Sequence, residues 1–235
     1  MSETVIGTGA APGKVRIGAA GWPYDGTELV LAGDGEILLR SPSVTPGYLK
    51  EPKRTRDAFT EDGFIKTGDL GRLDDDGYLW VVGRKKDIII NSAGKNMSPV
   101  AIEQAIRGTD AVISHVVCFG DGRSYNVGLI VLDPQGAADF AAAHGVPGGP
   151  VSELARQPVV REHVARVVEE GNARLSRVEQ FKRFTIFEGE WPLGGDELTL
   201  TNKLKRAEVN TKYADLIDGL YAPPHTIPET APAGG

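Results

Sequence analysis

The stretch from Thr67 to Glu103, TGDLGRLDDDGYLWVVGRKKDIIINSAGKNMSPVAIE, constrains the fold more than any other part of this chain. Tyr78-Leu-Trp-Val-Val82 follows the turn-forming Asp74-Asp-Asp-Gly77 and reads as a β-strand. Asp87-Ile-Ile-Ile-Asn91 reads as a second, strongly β-branched strand. The polar joint Gly83-Arg84-Lys85-Lys86 separates the two, and Thr67-Gly-Asp69 reads as a tight turn ahead of both. Ser98-Pro99 then opens a helix, because serine caps free amides and proline suits the first helical position. Val100, Ile102, Ala105 and Ile106 give that helix an apolar side.

The two flanks of this stretch differ in kind. Upstream, Thr27–Leu31 and Glu36–Arg40 read as strands joined across Gly33-Asp-Gly35 in a hairpin. Met1 to Val15 reads as a loop, and Ser41 to Glu61, with Pro42, Pro46, Gly47 and Pro52, as a surface connection. Gly9-Ala-Ala-Pro-Gly-Lys14 lacks the spacing of a phosphate-binding P-loop, since Thr8 stands five residues before Gly13 and Val15 follows the lysine. Downstream, strands are expected at 111–119 and 126–132, joined around Gly120-Asp-Gly122. A short helix at 137–144, a loop at 145–150, a helix at 158–176, a strand at 184–187 and a helix at 207–220 follow. The Pro-, Ala- and Gly-rich tail is expected to be disordered. The fold class is therefore α/β (α+β). A β-rich part at 1–84 precedes an α/β part at 85–222 and a tail at 223–235.

Charge and cysteine usage narrow the function classes. A net charge of -6 argues against general nucleic-acid binding. The single cysteine, Cys118, excludes an internal disulfide and a Cys-rich metal site. It lies in the apolar run Val116-Val-Cys-Phe119 and reads as a small buried hydrophobe. No apolar stretch approaches the roughly 18 residues that span a bilayer, and the N-terminus lacks the apolar core of a signal peptide. A cytoplasmic location is expected, with peripheral contact to a membrane left open.

Several motifs together resemble the adenylate-forming (AMP-binding) superfamily, in particular the C-terminal part of long-chain fatty acyl-CoA synthetases. They are Gly35-Glu-Ile-Leu-Leu-Arg-Ser-Pro42 with Gly47-Tyr-Leu49, then Thr67-Gly-Asp69, then Gly83-Arg-Lys-Lys-Asp87. Gly94-Lys-Asn96 with Glu103, and Thr201-Asn-Lys-Leu-Lys-Arg206, complete the series in the family's order. The resemblance implies the end of the large domain followed by the small mobile domain. It implies ATP-dependent formation of an acyl-AMP, then thioester formation with CoA, with ATP/AMP, Mg²⁺ and CoA as ligands and fatty acid as substrate.

The resemblance also assigns roles. Asp69 and Arg84 would grip the nucleotide: a carboxylate can accept from two neighbouring ribose hydroxyls, and a guanidinium offers a rigid fork of donors. Taken alone, Asp69 reads first as a turn former, which the rest of the motif series reverses, and Arg84 as a surface partner for the acidic run 74–76. Lys86 matches the hinge about which the small domain swings, in a linker able to change its backbone angles. Ala93, Gly94 and Lys95 match the loop that faces the pantetheine channel, or form a plain hairpin turn. Lys203 matches the catalytic lysine, with Lys205 as rival; Arg206, three residues on, favours Lys203. Leu200 and Asn202 depart from the Pro and Gly common in relatives. Ser2 and Glu3 match the end of a motif whose hydroxyl residue contacts the α-phosphate and whose glutamate helps hold Mg²⁺.

The family's phosphate loop and acyl pocket have no counterpart here, so weak or no activity of this chain alone is expected, with an upstream half acting in trans. Two other readings stand beside it. One is a non-catalytic remnant or complementing half of a split ligase; the other is a fragment of an aminoacyl adenylation domain. The Lys-Leu-Lys-Arg206 ending and the segment 134–180 favour the fatty-acyl branch.

Overall fold

The computed structural model describes residues 3–4 and 7–222. Ser2 and the tail 223–235 lie outside the described residues. The chain divides into two compact units, Met1–Ala101 and Ile102–Gly235. The boundary expected at residue 84 falls before this division, and segment 85–101 packs with the first unit.

The first unit is built on an antiparallel meander. A short pair, β1 (Thr8–Gly9) and β2 (Trp22–Pro23), precedes β3 (Glu28–Leu31) and β4 (Glu36–Arg40). The hairpin expected across Gly33-Asp-Gly35 forms as β3–β4, with Gly35 at φ 84°, a conformation that favours glycine. After α1 (Pro52–Ala58), strands β5 (Ile65–Leu73) and β6 (Leu79–Arg84) complete the sheet in the order β3-β4-β5-β6. Its apolar side gathers buried Ile37, Leu39, Ile65 and Leu79.

Three local readings are corrected in this unit. The connection 41–61 contains helix α1, because Pro52 stands in its first turn, where a missing N–H costs nothing. Thr67-Gly-Asp69 is not a turn between elements but lies inside β5. The strand expected at 87–91 is reduced to β7 (Ile89–Ile90), since Lys85–Asp87 takes a 3₁₀ turn. β7 pairs with β8 (Asn96–Met97) in a small ribbon. Helix α2 (Pro99–Arg107) follows, as the Ser98-Pro99 signal predicts.

The second unit is a three-stranded sheet with helices. Strand β10 (Asn126–Leu132) is central, antiparallel to β9 (Ile113–Phe119) and parallel to β11 (Phe181–Ile186). Every residue of β10 is buried, as its unbroken apolar run requires of a strand covered on both faces. Between β10 and β11 lie α3 (Pro134–Ala143), α4 (Val151–Leu154) and α5 (Pro158–Asn172). Asp133 caps α3 by accepting from the Gly136 amide at 2.8 Å. α5 buries Val160, Val164 and Val168, and Gly171 lets it approach α2 closely: a Cβ there would sit 2.5 Å from Ile106 Cα.

The helix expected at 207–220 is two helices, α6 (Arg206–Lys212) and α7 (Ala214–Tyr221), broken at Tyr213. They cover the sheet face that carries Val117, Phe119, Val127, Leu129 and Val131, together with Trp191, Leu198 and Val209. Cys118 is buried, as its apolar context predicts.

Candidate active site

The first unit brings Asp69 and Arg84 together. They stand opposite each other in the β5–β6 register, and Arg84 Nε donates to Asp69 Oδ1 at 2.8 Å. The acidic run expected to compete for Arg84 is otherwise engaged: Asp74 and Asp76 take Arg16, and Asp74 also accepts from Trp80 Nε1 at 3.0 Å.

Asp69 owes its position to a bulge. Glu36 pairs with Leu70 and Leu38 with Lys66, so Thr67, Gly68 and Asp69 bow out opposite Ile37. Gly68 sits at φ 69°, the left-handed region that costs a side-chain-bearing residue about 1 kcal/mol. Thr67 Oγ1 donates to the Ile37 carbonyl at 2.7 Å and accepts from the Asp69 amide at 3.0 Å. Glu36, 6% exposed, accepts from the Gly68 amide at 3.0 Å and from the Lys85 ammonium at 2.9 Å. Lys85 also pairs with Asp34 at 2.6 Å. Burial pushes the Asp69 carboxyl above its ordinary range, against the opposing pull of Arg84. Asp69 lines a cavity of about 320 Å³ with Thr4, Thr8, Ile37, Thr67 and Val81.

Glu3 accepts from the Tyr48 hydroxyl at 3.1 Å. Among the described residues no three His, Cys, Asp or Glu side chains cluster as metal ligands. One carboxylate fits the way Mg²⁺ is held in many phosphate-transfer sites, by one or two carboxylates, waters and substrate phosphates.

Lys86 is exposed in the 3₁₀ turn after β6. Ser98 Oγ donates back to the Val82 carbonyl and accepts from the Ala101 amide at 3.2 Å, which ties the start of α2 to the end of β6. Ala93, Gly94 and Lys95 form the exposed β7–β8 hairpin. Asn91, 8% exposed, accepts from the Ala93 and Lys95 amides at 3.0 and 2.9 Å, and Gly94 turns the chain at φ 75° with open space where a Cβ would be.

In the second unit, Lys203 lies on a tight hairpin. Leu198 bridges Leu204, the Thr199 amide donates to the Lys203 carbonyl at 2.9 Å, and the Lys205 amide donates to the Glu197 carbonyl at 2.7 Å. Asn202 takes φ 59° at the tip, and Leu200 is 82% exposed. The two lysines are used differently. Lys205 Nζ donates to the Gly195 carbonyl at 2.8 Å. Lys203 is exposed, and among the described residues no acid pairs with its ammonium. Arg206 pairs with Glu103 at 2.8 Å, and Glu103 accepts from the Cys118 amide at 2.8 Å, so these two motif residues clamp α6 and α2 to β9.

The sequence profile of the AMP-binding enzyme C-terminal domain family matches residues 86–224. The chain belongs to this family. Its curated relatives include the putative fatty-acid–CoA ligase fadD11 of Mycobacterium tuberculosis, 45% identical over 242 residues. That alignment covers 99% of this chain and 42% of the relative. The long-chain-fatty-acid–CoA ligase ACSBG1 of Homo sapiens is 35% identical over 80% of this chain and 28% of its own length. The chain thus spans less than half of these relatives. The fold matches the A domain of a carboxylic acid reductase from Segniliparus rugosus, solved with AMP and a co-purified carboxylic acid. There the TM-score is 0.67 at 22% identity, over 86% of this chain and 32% of that one. These matches agree with the resemblance read from the motifs.

Three residues of the two sites were not singled out in the sequence for any role. Glu36 and Lys85 hold the bulge, and Glu197, 4% exposed, underlies the Lys203 hairpin. The signal for Glu36 was an acid at the edge of an apolar run, Glu36-Ile-Leu-Leu39; Glu197, beside a single Leu198 between polar residues, carried no such signal. Glu197 accepts from Lys212 Nζ at 2.8 Å and from the Tyr213 hydroxyl at 2.6 Å. Burial raises its carboxyl, but these hydrogen bonds outweigh burial and leave it below the usual glutamate range. The Tyr213 hydroxyl, by burial first and by Glu197 second, is pushed up to about 12.

Proposed function

We propose that this chain supplies the C-terminal part of an ATP-dependent fatty acid–CoA ligase, which forms an acyl-AMP and then an acyl-CoA in the cytoplasm. The observation that carries the proposal is the Asp69–Arg84 pair presented by the β5 bulge beside a cavity. An acceptor-only carboxylate backed by a guanidinium is the donor-acceptor set that a ribose diol and a nearby phosphate need. The names of the relatives support fatty acid and CoA as the other substrates.

In this reading Asp69 accepts from the ribose hydroxyls, and Arg84 orients Asp69 while offering its remaining N–H groups to nucleotide oxygens. Ser2, beyond the described residues, contacts the α-phosphate. Glu3 holds Mg²⁺, which supplies charge neutralisation for the phosphates when bound. Lys203 brings its ammonium to the fatty-acid carboxylate and α-phosphate, two anions whose approach is otherwise repulsive, and so stabilises the transition state of adenylation. Lys86 is the pivot between the half-reactions. The Ala93-Gly94-Lys95 hairpin, narrow at Gly94, flanks the thiol arm of CoA. A region supplying the phosphate loop and acyl pocket, in cis or in trans, completes the site. A Lys203 ammonium that pairs with no acid among the described residues supports it over Lys205, which is engaged with Gly195.

NMR titration of the ¹⁵N-labelled chain with AMP tests the nucleotide assignment even when binding is weak. The amides of Thr67, Gly68, Asp69, Gly83 and Arg84 are expected to shift, and Asp69→Ala to abolish those shifts. Shifts confined to other residues, or unchanged in the variant, would refute it.

A further inference from the structure

The Lys203 hairpin rests on a buried acid. Glu197 is 4% exposed, and its neighbour Leu198 is 2% exposed in the core beneath the hairpin. One carboxylate oxygen of Glu197 receives Lys212 Nζ, at the end of α6, and the hydroxyl of Tyr213, at the break before α7. The Tyr213 hydroxyl in turn accepts from Trp191 Nε1 at 3.1 Å. The Glu197 carbonyl accepts the Lys205 amide, so the same residue holds both the hairpin's base and the helix break.

An apolar residue at so buried a position would stabilise the core at least as well, because desolvating a carboxylate offsets much of what its partners return. What a carboxylate adds is direction. Charge-assisted hydrogen bonds from two fixed elements specify where the hairpin strand lies, and apolar packing does not. Lys203 depends on that: its long side chain leaves a short hairpin, and displacement of a catalytic group by about 1 Å can cost on the order of 10²-fold.

We propose that Glu197 is a positioning residue for Lys203, acting through Lys212 and Tyr213 to fix the hairpin that presents the ammonium to the reacting carboxylate. The proposal deepens the ligase reading and rests on it for the reaction concerned.

The test pairs a structural with a kinetic measurement on the full chain, supplemented where needed with the region of fadD11 that it does not span. The variants are Glu197→Gln, Lys212→Met, Lys212→Arg and the milder Tyr213→Phe. Amide hydrogen exchange of Lys203 and Lys205 is expected to speed up about tenfold in Glu197→Gln and Lys212→Met, the factor for losing one charge-assisted hydrogen bond. Val127, Leu129 and Val131 are expected to keep their protection. Fatty-acid-dependent ATP–pyrophosphate exchange is expected to lose kcat by about tenfold or more with KM for ATP within about twofold, the pattern of a transition-state contact. Lys212→Arg is expected to restore both. In Lys203→Ala, exchange activity falls while the Lys205 amide stays protected.

Unchanged hairpin protection in Glu197→Gln and in Tyr213→Phe overturns the proposal. So does a loosened hairpin with undiminished kcat. A parent without any exchange activity contradicts the ligase reading instead, and the amide protection still decides whether Glu197 holds the hairpin.

Discussion

Replacing Glu36 with alanine asks whether the β5 bulge is held by a neighbouring strand or by its own backbone. Glu36 is the acceptor for the Gly68 amide at 3.0 Å and for the Lys85 ammonium at 2.9 Å. Its removal leaves a part-buried N–H without that acceptor, a loss of about 1–3 kcal/mol. The Lys85 contact adds little, because that side chain is 49% exposed, screened by solvent, and keeps Asp34. The expected destabilisation of the first unit is therefore about 2 kcal/mol. With a urea dependence of about 1–1.5 kcal/mol/M for a unit of this size, the unfolding midpoint falls by about 1.5 M. In a Trp191→Phe background the remaining tryptophans, Trp22 and Trp80, both lie in the first unit and report its unfolding by fluorescence. Glu36→Gln keeps an acceptor for Gly68 and is expected to lose only about 1 kcal/mol. A midpoint for the alanine variant within about 0.3 M of the parent, or a glutamine variant as damaged as alanine, would refute the reasoning.

Other outcomes follow from single contacts. Arg206→Met leaves Glu103, 13% exposed, without that partner. The expected cost is about 2–3 kcal/mol, below the range for a fully buried pair because both groups retain some solvent, and thermal denaturation reads it. Gly171→Ala drives a Cβ against the Ile106 backbone at 2.5 Å, and the overpacking is expected to exceed the helix-propensity gain and lower stability by about 1–2 kcal/mol. Asp69 carries a pH signature. Its folded carboxyl lies above the ordinary 3.8, so the folded state holds the proton to higher pH than the unfolded chain. The resulting stability is full below 3.8 and is lost as pH rises through the raised value. Asp69→Asn is expected to flatten that segment of the stability–pH profile, and an unaltered profile would remove burial as the cause.

The elements legible in the sequence were those fixed by local chemistry. The β3–β4 hairpin followed from Gly33-Asp-Gly35, and β10 from an unbroken apolar run. α2 followed from Ser98-Pro99. What escaped depended on distant partners. Thr67-Gly-Asp69 has turn composition, yet Glu36 and Ile37 draw it into a strand as a bulge. Nothing in the composition of 207–220 marks a break at Tyr213, where the side chain reaches Glu197. Pairing of Asp69 with Arg84 followed only in part: the motif residues were named, but their cross-strand register emerges from the bulge. The choice between Lys203 and Lys205 rested on the spacing to Arg206, and the structure adds a separate contrast, a lysine held by Gly195 beside one held by none of the described acids. No helix among the described residues is long and apolar enough to cross a membrane, in line with the absence of an apolar run in the sequence.

The most direct test is ATP–pyrophosphate exchange across a panel of fatty acids, using the purified chain, alone and with the unspanned region of fadD11 supplied in trans, beside its Lys203→Ala variant. The account predicts exchange that requires fatty acid, appears in at least one of the two arrangements, and falls by on the order of 10²-fold or more without the Lys203 ammonium. Exchange that persists in Lys203→Ala, or is absent from both arrangements, would contradict it.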